Sequence, residues 1–301
     1  MSQRILLIGK NGQVGWELRR TLAPLGQIIC TGSADLDLSN TDAIRQFVRQ
    51  SEPEIIVNAA AYTAVDKAEA EPEMAGKING EAPEVLAREC ARAGALLIHY
   101  STDYVFDGTK NRPYVETDEP NPLNVYGKTK LLGEQSIRAT DCAHLIFRLC
   151  WVYGGRGQNF MLTMIRLARG QQPLRVVNDQ VGCPTWSRLI AETTALALKQ
   201  LLAATDKAVL YGTYHLAAAG QTSWFDFAKV IVELHNQRFK THKVVYPITT
   251  AEFPRPARRP AYSVLDGGKL RRTFGLQLPQ WKESLELVLE PPPQRKKETQ
   301  T

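Results

Sequence analysis

Short apolar runs alternate with segments of helical periodicity through the first half of the chain. Segments with a helical pattern lie between the apolar runs, most clearly at 16–22 and 71–93. The apolar runs lie at 4–8, 27–30, 54–61, 96–100 and 144–149. A run of this kind without polar alternation is the expected form of a parallel strand that is buried on both faces. The alternation of strands and helices predicts an α/β fold built on a doubly wound, Rossmann-like parallel sheet.

The pattern changes after Gly157, where strands become sparse. Helices are predicted at 159–169, 188–202 and 224–234, and strands at 174–177 and 212–216. This half is expected to form a smaller C-terminal α/β lobe, with some segments returning to the main sheet. Residues 290–301 combine prolines with charged and polar residues and have no apolar face, which predicts a disordered tail.

Composition adds few constraints beyond those of an ordinary globular protein. The 301 residues are 44% hydrophobic and 23% charged, with a formal net charge of +6 and a pI of about 9.0. An excess of positive charge favours anionic partners. The charges are mixed along most of the chain, so we expect a phosphorylated small molecule rather than a nucleic acid.

The five cysteines and the absence of long apolar runs bear on location. No two cysteines form a C-x-x-C pair, and an odd number without a framework is typical of a reducing compartment. The first residues lead straight into a predicted strand, without the pattern of a signal peptide. No apolar run approaches ~20 residues, the length that spans a bilayer. We therefore expect a cytoplasmic protein without membrane segments.

Glycines follow the first predicted strand in the pattern G-x-x-G-x-x-G. Gly9, Gly12 and Gly15 lie between that strand and the next helical segment. In this context glycines let backbone N–H groups approach a pyrophosphate at the positive end of the helix. The alternative is a glycine-rich turn without a ligand. The motif predicts a dinucleotide-binding domain at 1–153 and a mainly substrate-binding lobe at 154–289.

The end of the second predicted strand bears on the choice of dinucleotide. A cofactor with a free ribose 2′-OH usually meets an Asp or Glu there. Thr31, Gly32 and Ser33 occupy this end, Asp35 is the first acid, and no arginine stands nearby. Small polar residues leave room for a 2′-phosphate. The sequence favours NADPH and leaves NADH open.

Tyr126 and Lys130 form a Y-x-x-x-K pair. On a helix, residues four apart share one face. A phenol has a pKa near ~10, and an ammonium one turn away favours the phenolate. The pair is suited to proton transfer in a carbonyl/alcohol interconversion. The same spacing also occurs on solvated helices, and the interpretation depends on the surrounding motifs.

Small and hydroxyl residues end the middle strands. Ala59, Ala60 and Ala61 would let a flat ligand approach the sheet. Thr102, at the tip of the run at 96–100, would offer its hydroxyl as a second donor to a substrate carbonyl. A Ser-Thr-Asp sequence is otherwise more often a turn.

Taken together, these motifs resemble the extended short-chain dehydrogenase/reductase superfamily, and within it the dTDP-4-dehydrorhamnose reductase family. The resemblance covers roughly residues 4–289. The glycine motif by itself is common among oxidoreductases, whereas the order of the matching segments is specific. These segments are 9–18, 57–69, 99–106, 122–130, 148–153, 177–180 and 257–260.

The resemblance implies a role for each matching residue. The cofactor site would comprise Gly9, Gly12, Gln13, Val14 and Gly15 at the pyrophosphate, Asp37 and Leu38 at the adenine, and Ala61, Tyr62 and Thr63 towards the ribose and nicotinamide. Tyr126 would donate the proton and Lys130 would assist it and bond the nicotinamide ribose. The substrate site would comprise Thr102, Asp103, Trp151, Arg258 and Arg259. A solvated, proline-stiffened loop remains the alternative for the two arginines.

The implied reaction is reduction of the C4 keto group of a dTDP-4-keto-6-deoxy sugar by NAD(P)H, giving dTDP-L-rhamnose. Two alternatives remain. One is another reductase or an epimerase of nucleotide sugars, because these enzymes share the same catalytic residues. The other is a non-catalytic subunit similar to the methionine adenosyltransferase β subunit, which has no need of an acid–base pair.

One position departs from the family pattern. Some members dimerise around Mg²⁺ held by glutamates, the first of them at the position of Glu17. Where another glutamate is expected, this chain has Arg188, and a cation there would repel a metal. The sequence therefore predicts no bound metal, and a monomer or a weak homodimer.

Overall fold

The computed structural model describes residues 3–290. Apart from Glu290, the tail predicted at 290–301 lies outside the described residues. The strands are β1 (Gln3–Ile8), β2 (Gly26–Thr31), β3 (Ile55–Asn58), β4 (Leu96–Thr102), β5 (Ala143–Leu149), β6 (Val152–Tyr153), β7 (Leu174–Val177), β8 (Val181–Gly182), β9 (Thr185–Trp186), β10 (Gly212–His215), β11 (Thr222–Ser223) and β12 (Val245–Ile248).

The helices alternate with these strands through the first half and dominate the second. They are α1 (Gln13–Thr21), α2 (Thr41–Ser51), α3 (Val65–Ala68), α4 (Pro72–Gly76), α5 (Ala82–Ala93), α6 (Val125–Arg138), α7 (Phe160–Ala168), α8 (Ser187–Ala203), α9 (Trp224–Phe239), α10 (Gly268–Phe274) and α11 (Trp281–Leu289). Among residues 3–290, no helix combines the length and the apolar character needed to cross a membrane.

A six-stranded parallel sheet forms the centre of the molecule. Its strand order is β10-β5-β4-β3-β1-β2, and every neighbouring pair is parallel. The chain passes from β1 to β2 on one side and then crosses to β3 on the other. This reversal opens a crevice at the carboxyl ends of β1 and β3, where ligands of such sheets bind. The predicted α/β fold class is confirmed, and β10 is a later segment that returns to the sheet.

Helices cover both faces of the sheet, which is why its strands are almost continuously apolar. On one face, Leu18 of α1 and Leu198 of α8 belong to a fully buried cluster with the sheet residues. On the other face, Ile44 of α2, Leu86 of α5 and Ile137 of α6 form a second cluster. The core therefore lies in two layers around a sheet whose carboxyl edge stays open.

The second half carries its own aromatic core beside that edge. Helix α9 packs against α7 and α11, and Phe227 at its centre contacts Tyr153, Phe160 and Trp281. Strand β12 pairs in parallel with β7. The sequence did not predict β12, α10 or α11, because they are short and, in β12, a proline and two exposed positions hide the strand pattern.

Candidate active site

The predicted glycine turn joins β1 to α1 and faces the crevice. Gly9 has φ +91°, a conformation that favours glycine, and a Cβ at Gly15 would lie 2.1 Å from the Gly9 carbonyl oxygen. Helix and loop can approach this closely only without side chains. Gly12 caps α1 without a side-chain hydrogen bond. The first N–H groups of α1 therefore remain available to an anion such as a pyrophosphate.

A cleft of about 740 Å³ runs from this turn across the sheet edge to the second half of the chain. Residues far apart in sequence line it together. Of the predicted site residues, the cleft is lined by Gly9, Gly12, Gln13, Val14, Ala61, Thr63, Thr102, Asp103, Tyr126, Lys130 and Trp151. The structure thus gathers most of the predicted cofactor and catalytic residues around one cavity.

Four of the other predicted residues lie beside the cleft rather than in its wall. Gly15 packs behind the glycine turn. Asp37 accepts hydrogen bonds from the backbone and hydroxyl of Ser39, and Leu38 is buried in the core beneath α2. The Tyr62 hydroxyl donates to Glu71 at 2.7 Å. The side chains of Asp37, Leu38 and Tyr62 are thus engaged elsewhere.

The predicted arginines belong to a loop that an acidic residue holds in place. Asp66 accepts hydrogen bonds from Arg255 (2.7 Å) and from both terminal nitrogens of Arg259 (3.0 Å). The Arg258 side chain is exposed, and its carbonyl oxygen accepts from Asn124. Neither Arg258 nor Arg259 lines the cleft, although Arg259 lies near Tyr104 in its wall.

Helix α6 brings Tyr126 and Lys130 to the cleft as predicted from their spacing. Asn124 caps the helix through Gly127 N at 2.8 Å, and Glu69 accepts from Val125 N at the same distance. These contacts fix the first turn, which carries Tyr126. Towards the other end of α6, Glu134 accepts hydrogen bonds from Arg148 of β5 at 2.9 and 2.7 Å.

Two hydroxyl side chains, Tyr126 and Thr102, line the cleft together. The Thr102 hydroxyl donates to Asp103 Oδ1 at 3.1 Å. Burial raises the pKa of Tyr126 to about 12, while the neighbouring Thr102 hydroxyl opposes the rise and the Asp103 charge adds to it. The expected lowering of this pKa by Lys130 is therefore not found. A phenol of this kind keeps its proton at neutral pH and can act as an acid.

Lys130 is buried and points into a polar network below the cleft. Its Nζ lies 2.6 Å from the Tyr100 carbonyl oxygen and 3.1 Å from His99 Nε2. Burial lowers the pKa of Lys130 to about 8, which the Glu134 carboxylate partly offsets. These contacts explain why its charge does not act on Tyr126.

His99 fixes the orientation of this network and was missed by the sequence analysis. Burial, and then the Lys130 charge, hold the pKa of His99 well below its usual value, so the ring is neutral. Asn58 Nδ2 lies 3.2 Å from Nδ1, and Lys130 Nζ lies 3.1 Å from Nε2. Asn58 Oδ1 accepts a hydrogen bond from Ala60 N at 3.3 Å, which holds the amide nitrogen towards the ring. A neutral imidazole accepts at one ring nitrogen only, so the ring accepts from either Asn58 or Lys130.

Asp103 lies next to the two hydroxyls and is fully buried. Burial raises its pKa to about 6, against hydrogen bonds from Ser263, Cys150 and Thr102 that lower it. A carboxyl group with this pKa is mostly ionised at pH 7 and takes up a proton as the pH falls through about 6. It can accept hydrogen bonds from hydroxyl groups of a ligand at the wall of the cleft.

Two tryptophans form the far wall of the cleft. Trp151 and Trp224 stack at 3.5 Å with an interplanar angle of 6°. Trp151 has φ +44°, a strained conformation for a residue with a side chain, and such strain concentrates at functional sites. The sequence predicted Trp151 in the site but treated Trp224 only as the start of a capped helix. Pairing of β8 with β11 brings them together.

Arg188 stands where the family pattern has a metal-binding glutamate. Arg188 forms an ion pair with Glu192 at 3.2 Å, one turn along α8. Among the described residues, 3–290, no three His, Cys, Asp or Glu side chains gather as possible metal ligands.

A parallel sheet whose crevice holds both a phosphate-binding turn and a Tyr-x-x-x-Lys helix is characteristic of short-chain dehydrogenases/reductases. The fold and the cleft together define an oxidoreductase of this class, in its extended form with a C-terminal lobe. The family model described as the RmlD substrate binding domain matches residues 3–292, and the chain belongs to this family. The predicted family is confirmed.

Relatives and solved structures agree with this placement. A curated dTDP-4-dehydrorhamnose reductase from Burkholderia thailandensis is 46% identical over 292 residues, covering 95% of this chain and 98% of that protein. The crystal structure of an ortholog from Clostridium acetobutylicum has a TM-score of 0.88 at 41% identity and covers 95% and 98% of the two chains. The Bacillus anthracis reductase, solved in complex with NADP, has a TM-score of 0.86 at 37% identity and covers 96% and 99%.

Proposed function

We propose that this chain reduces the C4 keto group of dTDP-4-dehydro-6-deoxy-L-mannose with NADPH to give dTDP-L-rhamnose, the last step of dTDP-rhamnose synthesis. Relatives that are 46% identical over nearly the full length are named dTDP-4-dehydrorhamnose reductase. The observation that carries the proposal is the Tyr126–Thr102 pair, which shares one cleft with the glycine turn and Lys130.

The residues of the glycine turn fit a dinucleotide. Gln13 and Val14 would hold the pyrophosphate through free N–H groups of α1. Gly9 and Gly12 would let it come close to the turn, and Gly15 would keep the helix close. Ala61 and Thr63 would lie along the ribose and nicotinamide. Asp37, Leu38 and Tyr62 would take part only through their backbone or after rearrangement. When bound, the nicotinamide supplies the hydride to the substrate carbonyl carbon.

Tyr126 and Thr102 manage the proton and the developing charge. Both hydroxyls would donate hydrogen bonds to the carbonyl oxygen, which stabilises the oxyanion as it forms. Tyr126 then transfers its proton, because a sugar alkoxide is a stronger base than a phenolate. Lys130 would hold the nicotinamide ribose. His99 and Asn58 position Lys130 for this task.

The lobe at 154–289 would contribute mainly to substrate binding. Trp224 begins helix α9 and, with Trp151, would cover the apolar face of the deoxy sugar. Asp103 would bind a sugar hydroxyl. Arg258 and Arg259 would approach the nucleotide diphosphate, with Arg259 shared between Asp66 and the ligand.

The same proposal covers assembly and location. We propose a metal-free monomer or weak homodimer, supported by the Arg188–Glu192 ion pair at the position where a metal-binding glutamate was expected. We further propose that the enzyme works in the cytoplasm, with neither nucleic acid nor membrane as partners. Mass measured by light scattering, with and without EDTA, tests the assembly, and an EDTA-sensitive dimer would contradict it.

Loss of NADPH absorbance with dTDP-4-dehydro-6-deoxy-L-mannose tests the reaction. Tyr126→Phe is expected to lower kcat by about 10²–10⁴-fold and to leave NADPH affinity unchanged. Tyr246→Phe removes a hydroxyl from an exposed tyrosine of β12 and serves as the control. Equal rates for Tyr126→Phe and the wild type would exclude the acid role. Turnover without net NADPH loss would indicate an epimerase. The absence of turnover with any keto sugar would indicate a regulatory subunit.

A further inference from the structure

A lysine of the glycine turn reaches the end of the second strand, where the sequence showed no cation. Lys10 follows Gly9, and its backbone N–H donates to the Thr31 carbonyl oxygen at 2.9 Å. Its side chain extends over the same strand end, where Nζ lies 2.6 Å from Asp35 Oδ2. The ammonium is therefore held at the carboxyl end of β2.

Asp35 lies in the turn that follows β2 and is oriented by it. Its Oδ2 accepts a hydrogen bond from Gly32 N at 2.8 Å, and its own N–H donates to the Gly32 carbonyl oxygen at 3.0 Å. The carboxylate thus folds back to the strand end, although Asp35 itself comes four residues after Thr31. Gly32 and Ser33, between them, line the cleft.

The end of β2 is where the ribose 2′ position of a bound dinucleotide is recognised in this fold. A carboxylate there accepts a hydrogen bond from a free 2′-OH, as in NADH. A cation there binds a 2′-phosphate, as in NADPH. Here both groups are present and neutralise each other. The side chains are 28% and 43% exposed, and an ion pair this accessible is weak and opens readily.

We propose that the Lys10–Asp35 pair selects between the two dinucleotides, with Lys10 binding the 2′-phosphate of NADPH and Asp35 binding the 2′-OH of NADH. Asp35 competes with the phosphate for Lys10, so the pair limits the preference for NADPH. This inference rests on the proposed cofactor and adds the residues that read its 2′ position. It assigns no part in the reduction to either residue.

Equilibrium titrations with NADPH and NADH, followed by nicotinamide fluorescence, test the proposal. Lys10→Met is expected to weaken NADPH binding by about tenfold or more and to leave NADH within about twofold. Asp35→Asn keeps an acceptor for Gly32 N but removes the charge. It is expected to tighten NADPH and weaken NADH, each severalfold. Lys199→Met removes one exposed charge from α8 and should change neither affinity.

Two further measurements separate this proposal from the proposed reaction. Adenosine 2′,5′-bisphosphate and adenosine 5′-monophosphate probe the same site without a nicotinamide and should repeat the Lys10→Met difference. The wild-type preference for NADPH should shrink as salt screens the ammonium, and that of Lys10→Met should not. Equal losses for NADPH and NADH in Lys10→Met, or an unchanged ratio in Asp35→Asn, would overturn the inference. If the ratio of NADPH to NADH affinity shifts as expected but the protein does not reduce the keto sugar, only the proposed reaction is refuted.

Discussion

Gly182 makes room for Trp151, which forms the far wall of the cleft. A Cβ at this position would lie 2.4 Å from Trp151 Cε2, 2.7 Å from Nε1 and 2.8 Å from Cζ2. Its φ is not in the left-handed region, so Gly182→Ala tests contact with the indole rather than backbone strain. The Trp151 backbone is already strained, and its ring is stacked on Trp224.

The size of the effect follows from these distances. Ordinary van der Waals contact begins at 3.4 Å, so the indole would have to retreat by about 1 Å. Overpacking of this kind costs about 1–3 kcal/mol of folding stability. A displacement of about 1 Å in a group that positions substrate can cost on the order of 10²-fold in rate. We expect kcat/KM for the keto sugar to fall by about 10- to 10²-fold.

Steady-state kinetics with the keto sugar varied, together with NADPH titration, separate the two sides of the cleft. Gly182→Ala should bind NADPH within about twofold of the wild type, because the change lies at the tryptophan wall. Gly76→Ala, where a Cβ meets nothing within 4 Å, is the matched control. Wild-type kcat/KM in Gly182→Ala, or an equal loss of NADPH affinity, would refute the reasoning.

Two buried charges yield further predictions. Glu134 of α6 accepts hydrogen bonds from Arg148 of β5 at 2.9 and 2.7 Å, so Glu134→Gln should cost about 3–5 kcal/mol in urea unfolding. Glu84→Gln, in an exposed pair with Arg88, should cost under about 1 kcal/mol, and similar costs would contradict this. Burial raises the pKa of Asp103 from 3.8 to about 6. The contribution of the protonated side chain to folding stability is therefore complete below pH 3.8 and is lost as the pH rises through 6. Asp103→Asn should therefore be more stable than the wild type near pH 7 by about 2–3 kcal/mol and lose this advantage near pH 4; a pH-independent difference would exclude the titration.

The local features of the site were predictable because each depends on neighbouring residues. The strand, glycine turn and helix at 4–22 specify the close approach of turn and helix whatever follows. The spacing of Tyr126 and Lys130 places them on one face of any helix, and Asn124 marks where that helix begins. Periodicity also predicted the alternating strands and helices, and so the fold class.

The tertiary structure decided everything that depends on residues distant in sequence. The acidity of Tyr126 could not be inferred from Lys130, because burial and the contacts of Lys130 with His99 and Tyr100 appear only when β4 packs against α6. Lys10 meets Asp35 only across the ends of β1 and β2, and the Trp151–Trp224 stack forms only when β8 pairs with β11. Sequence periodicity reports local geometry, whereas desolvation and charge pairing depend on which segments fold together.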